Sequence, residues 1–137
     1  MIKIRTIIEV VGFPEIYITE AINKIVNHVK EQDYIKIINV HIEETKKLDK
    51  MYSTFTELEL DFKDLQDVVN FCFDYLPSSI EILEPETINE KAINFADVLN
   101  DLMLKLHEYN IIIRNLQAEN KVMKEKLATS SGNKKNS

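Results

Sequence analysis

Few residues in this chain have the types and spacing that do chemistry. His41 stands in the alternating stretch K-I-I-N-V-H-I, and Glu57, Glu59 and Asp61 alternate along T-E-L-E-L-D-F. If these stretches pair as neighbouring strands, the imidazole approaches Glu57 or Glu59. A histidine among carboxylates is a donor set for a divalent metal. The competing reading is a solvated ladder, because alternate residues of a strand share a face whatever their role. Acid–base work by two carboxylates needs a cleft and a shifted pKa, and the residues imply neither. His28 comes late on a helical stretch, where the negative helix end accounts for a cation. His107 falls at a solvent-facing heptad position. The single cysteine, Cys72, lies in V-V-N-F-C-F, which leaves no intramolecular disulfide or cysteine-cluster zinc site. It reads as a buried, inert thiol. No H-x-x-x-H, phosphate loop, nucleophile elbow or dinucleotide fingerprint occurs. The chain is therefore expected to be no enzyme, with no catalytic residue, metal or cofactor.

The elements that hold these residues follow from apolar periodicity. Residues 2–11 alternate with Ile2, Ile4, Thr6, Ile8 and Val10 on one face, which predicts a strand. Gly12 and Pro14 end it. Ile18, Ile22, Ile25 and Val29 recur at helical spacing, predicting an amphipathic helix over 14–32. Residues 34–43 are β-rich, although Ile35 and Ile37 share a face with Asn39 and His41. The polar run 43–50 reads as a solvated connection. A third strand covers 52–62, with Thr54, Thr56, Leu58, Leu60 and Phe62 inward. Asp64 is a candidate N-cap for a helix reaching about Tyr75, and Ile80 to Leu83 form a fourth strand. This β-α-β-β-α-β order predicts an α+β, ferredoxin-like antiparallel sheet over 1–86, with both helices on one face. The other face would carry Arg5, Ile7, Glu9, Phe55, Glu57, Glu59, Glu81 and Leu83.

A long helix is expected over 87–128, opened by a Thr87/Glu90 capping box. Its apolar residues step by four and three from Ile88 onward, which is a coiled-coil pattern. The expected dimer seam is Leu99, Leu102, Leu106, Tyr109, Ile113, Leu116, Asn120, Met123 and Leu127. Asn120 occupies an a position, where paired amides fix a parallel, two-stranded register at some cost in stability. Glu119 at g and Lys124 at the next e can pair between chains. Ala96, Val98, Met103 and Ile112 widen the stripe, so antiparallel pairing or a bundle of four stays open. Residues 129–137 lack apolar anchors and are expected to be a disordered tail.

Charge is uneven. Residues 1–86 hold 9 Lys/Arg and 17 Asp/Glu, against 8 and 6 in residues 87–137. An acidic head disfavours nucleic acid, which is bound by neutralising phosphates. Basic residues near the end (Lys121, Lys124, Lys126, Lys134 and Lys135) leave a minor nucleic-acid reading. No stretch is apolar for the ~20 residues of a membrane span, and the first residues alternate unlike a signal peptide. A cytoplasmic protein without a membrane partner is expected.

The runs F-C-F-D-Y-L-P-S-S-I-E-I-L-E-P (71–85) and L-N-D-L-M-L-K-L-H-E-Y-N (99–110) are similar to a family of small uncharacterised archaeal proteins with a head and a C-terminal helix. That likeness covers nearly the whole chain and implies no activity. More distantly, Leu58 to Ile88, ending in Ile80-Glu81-Ile82-Leu83-Glu84-Pro85, resembles the ferredoxin-like extension of WYL-domain regulators. The primary expectation is a homodimeric interaction module presenting an acidic sheet to a protein partner. The alternative is a small-molecule sensor of the ACT or WYL-extension type, with a site near Gly12-Phe13-Pro14. That alternative rests on fold analogy.

Overall fold

The computed structural model describes residues 1–135. The elements are β1 (Ile2–Gly12), α1 (Glu15–Lys30), β2 (Lys36–Ile42), β3 (Lys46–Leu48), β4 (Met51–Phe62), α2 (Leu65–Tyr75), β5 (Ser79–Glu84) and α3 (Ala92–Lys135). The sheet runs β2-β4-β1-β5, all antiparallel, and β3 pairs with β4 beyond the end of β2. This is the α+β, ferredoxin-like order, with the two long strands at its centre. The chain divides into two compact units, Met1–Asn94 and Phe95–Ser137.

The alternation of β1 and β4 explains their central place. Ile4 lies opposite Leu60, Thr6 opposite Leu58, and Ile8 opposite Thr56. All six are buried on the face that α1 and α2 cover. Val29 of α1 and Val68 and Phe71 of α2 complete the core, where the Phe71 ring lies 5.6 Å from Phe62 and 5.1 Å from Tyr75. Three threonines sit in this layer without an orphaned hydroxyl. Thr6 Oγ1 donates to the Ser79 carbonyl at 2.8 Å, Thr54 to that of Glu43 at 2.6 Å, and Thr56 to that of His41 at 2.8 Å. The N-cap at Asp64 forms as expected, its carboxylate accepting from the Asp67 amide at 3.0 Å.

Two β-bulges correct the outer strands. In β2 the register shifts between Ile37 and Asn39, so Ile37 and Val40 face the helices while Asn39 and His41 face away. Ile38 is the extra residue, which resolves the mixed pattern of that stretch. In β5 the shift sets Ile82 against Ile4 but Glu84 against Lys3, so Glu84, rather than Leu83, takes the place opposite a cation. The polar connection at 43–50 contains β3, whose three residues are all exposed. Asp49, with φ 55°, turns this strand into β4. Exposure on both faces is why composition concealed it.

The long helix starts later and extends further than expected. It begins at Ala92, so Thr87 and Glu90 form no capping box at its start. Ile88, read as the first heptad residue, is instead partly buried against the head core. At the other end, residues 129–135 of the expected tail continue the helix. Thr129 Oγ1 donates to the Glu125 carbonyl at 2.9 Å, and no proline interrupts the run. Residues 136 and 137 lie outside the described residues.

Candidate interaction surface

Two surfaces collect the residues singled out above. The first is one side of α3. At ~1.5 Å per residue this helix of 44 residues is about 66 Å long. Leu99, Leu106, Tyr109, Ile113, Leu116, Met123 and Leu127 share the expected stripe, each 40–68% exposed. Asn120 is exposed among them, and Leu102 is half-buried. Off the stripe, Leu104 and Ile111 are also exposed, directly opposite it in the heptad. The middle of α3 thus carries apolar residues at its a, d and f positions, while Asn100, Asp101, His107 and Glu108 keep b and c polar.

The second surface is the face of the sheet opposite α1 and α2. Arg5 is its hub. The register sets Arg5 between Glu59 on β4 and Glu81 on β5, with Glu57 one step along. Its Nη2 donates to Glu59 Oε1 at 3.2 Å and its Nη1 to Glu81 Oε2 at 3.3 Å. Its Nε lies 3.3 Å from Glu57 Oε1, shielded from water but without hydrogen-bond alignment. The Glu59 hydrogen bond, more than the nearby charges, raises the guanidinium above its ordinary pKa. Because the side chain is 41% exposed, these ion pairs are screened and contribute little to stability. The carboxylate row is thereby a charge ladder, and its net sign stays negative.

The histidines are dispersed. His41 does lie opposite Glu57 across β2 and β4, but its Nε2 is 3.1 Å from Glu43 Oε2. That hydrogen bond lowers the Glu43 pKa against a smaller opposing desolvation. His28 Nδ1 is 2.7 Å from the Tyr75 hydroxyl and ties α1 to α2, a contact that its position late in the helix did not announce. Among the described residues, no group of three or more His, Cys, Asp or Glu is placed to hold a metal. Cys72 is half-buried, and burial raises its thiol pKa. Tyr34, desolvated and donating to Asp74 at 2.9 Å, has its pKa raised well above the usual phenol value.

At the start of α1, Phe13 is 71% exposed and stacks on Tyr52, so Gly12-Phe13-Pro14 projects outward. A cleft of about 470 Å³ lies beside it, between Glu15, Thr19 and Asn23 of α1 and the Glu43–Thr45 break that separates β2 from β3. The Thr19 and Thr45 hydroxyls meet across it at 3.0 Å.

The head, the outer strand break and most of α3 form one continuous match to a family model, which spans residues 3–130 under the description MJ0538 family. The chain belongs to the MJ0538 family. A relative from Methanocaldococcus jannaschii, "Uncharacterized protein MJ0538", is 32% identical over 101 residues. The alignment covers 72% of this chain but 38% of that relative, so the chain spans well under half the length of the curated protein it matches. No solved structure matches this MJ0538-family chain. Among its described residues, no helix is long and apolar enough to cross a membrane.

Proposed function

We propose that this chain is a non-enzymatic, cytoplasmic assembly module that forms a homodimer by pairing two copies of α3. The observation that carries the reading is the exposed apolar row from Leu99 to Leu127. Moving a Leu or Ile from water into a seam contributes about 1.5–3 kcal/mol. Association costs about 4–15 kcal/mol, so several such residues must be buried together. The row supplies seven large ones per chain.

Asn120 favours parallel pairing. In a parallel, in-register coil it meets its own copy, and each amide satisfies the other. An antiparallel coil that keeps Leu106 on Leu116 and Leu99 on Met123 sets Asn120 against Leu102. A desolvated amide without a partner costs about 1–3 kcal/mol. Parallel pairing also joins Glu119 of one copy to Lys124 of the other on both sides of the seam. The acidic sheet faces of the two heads would then meet a protein partner with basic residues.

Sedimentation equilibrium over a wide concentration range tests the reading. A mass of twice the chain is expected, falling to one chain when Leu106 and Ile113 are both replaced by Asp. A monomeric parent protein would overturn it. Asn120→Leu should strengthen association while admitting higher oligomers.

A second reading, small-molecule sensing, draws on the cleft beside α1. It predicts a ligand-dependent rise in melting temperature across a metabolite panel, lost in Thr19→Tyr; a flat panel counts against it.

A further inference from the structure

We propose that the end of the sheet where β1 finishes and β3 turns into β4 docks on an anionic lipid bilayer. Val11, Phe13, Ile16, Tyr17, Leu48 and Met51 are each more than half exposed, and all lie at this end. The register gathers them: Val11 is opposite Ser53, Gly12 opposite Tyr52, and Leu48 opposite Met51. Ile16 and Tyr17 come from the first turn of α1. Exposed apolar groups concentrated in this way mark an interaction site.

The choice of a bilayer rests on two observations. The first is that both faces of the tip are apolar. Val11, Leu48 and Met51 lie on the side of the carboxylate ladder, whereas the stacked Phe13–Tyr52 pair lies on the side of the helices. A folded protein partner covers one face, but an acyl layer can surround a protruding tip. The second is charge. Lys46, Lys47 and Lys50 bring three cations to one hairpin of a strongly acidic head, and the register sends Lys46 and Lys47 to opposite faces. Asp49 lies within that hairpin and Glu15 at the start of α1, while Glu9 and Glu43 stand further back at the level of Phe55, Glu43 feeling the charge of Lys46. Anionic headgroups attract such lysines, while the acidic remainder of the head is repelled, which orients the tip inward. Tyr17 and Tyr52 suit the boundary, with an apolar ring and a polar end. Lysines beside aromatic rings also describe a platform for single-stranded nucleic acid. However, Val11, Ile16, Leu48 and Met51 are aliphatic and offer bases nothing to stack on. The contact is peripheral and calls for no spanning helix.

The test is co-sedimentation of the full chain with vesicles of phosphatidylglycerol and phosphatidylcholine, beside vesicles of phosphatidylcholine alone. Partition into the anionic vesicles is expected, weakening as salt rises. Replacing Leu48 and Met51 together by Asp should reduce it at least tenfold, and each Lys→Ala change at 46, 47 or 50 by about fivefold. Phe13→Ser on the other face is a second variant, so the outcome does not depend on one substitution folding. All these side chains are exposed, and unchanged melting temperatures would confirm that. Equal binding to neutral vesicles, no binding to either, or indifference to the substitutions overturns the proposal. So does binding of an oligothymidylate that depends on Phe13 and Tyr52 while vesicles are ignored.

Discussion

The head and α3 carry equally regular apolar periodicity, yet the two regions meet opposite fates. In the head, Ile4, Leu58, Leu60, Phe62 and Phe71 reach zero exposure. On α3, Leu99, Leu106, Ile113 and Leu116 stay open to water. The difference lies in what each pattern meets within one chain. The sheet finds α1 and α2 on its apolar face, whereas most of α3 makes up a unit of its own. The head thus builds its core from elements of one chain. If two copies of α3 pair as proposed, its order beyond intrinsic helicity depends on protein concentration.

The largest test of this contrast is Phe71→Ala. It should lower head stability by about 3–5 kcal/mol, read by denaturant unfolding. At temperatures where the head stays folded, the sedimenting mass should not change. A parallel loss of assembly would show that the two regions are not independent. Thr56→Val removes a buried hydroxyl from the His41 carbonyl. The expected loss is about 1–3 kcal/mol, because an acceptor is left without its donor. Any dependence of that loss on protein concentration would mean that head and assembly are coupled.

How much of this was legible follows the same division. β1 and β4 could be read because each alternates without interruption against a single buried face. Asp64 could be read because a cap is a local event. The outer strands were less legible, because one bulge, at Ile38 or at Leu83, moves every later residue to the other face. Ile88 fits the heptad arithmetic perfectly, but a nearby core competes for it, and periodicity cannot weigh that competition. The apolar row on α3 was legible as a row, since a helix sets residues at that spacing on one side. The apolar tip was not, because Val11, Phe13, Leu48 and Met51 are distant in sequence and come together only through strand register. An unexplained excess of lysine and apolar residues at 46–51 was the available signal.

A smaller effect sharpens the account of the head. Asp64→Ala should cost about 1 kcal/mol by freeing the first amides of α2, with the loss visible as a lower melting temperature. Asn at the same position should restore most of it, since its carbonyl oxygen also accepts. Failure of Asn to rescue would mean that charge at the helix start, rather than capping, is what matters there.

The smallest effect tests whether exposed polar contacts contribute at all. Glu43 is held below the ordinary carboxylate pKa by its hydrogen bond from His41. A carboxyl group whose pKa is depressed on folding adds stability above its unfolded pKa, and that stability is lost as pH falls through the folded value. Glu43→Gln should therefore differ slightly from the parent protein at neutral pH, and the gap should close on acidification below the ordinary carboxylate range. His41 is exposed and Glu43 partly so, and screening leaves such a pair little, so the gap at neutral pH should be far smaller than the loss from Thr56→Val. A gap that widened toward acid would reverse the sign and place Glu43 in a repulsive rather than an attractive setting. The carboxylates around it, above all Glu44, would then be the groups that govern the break between β2 and β3.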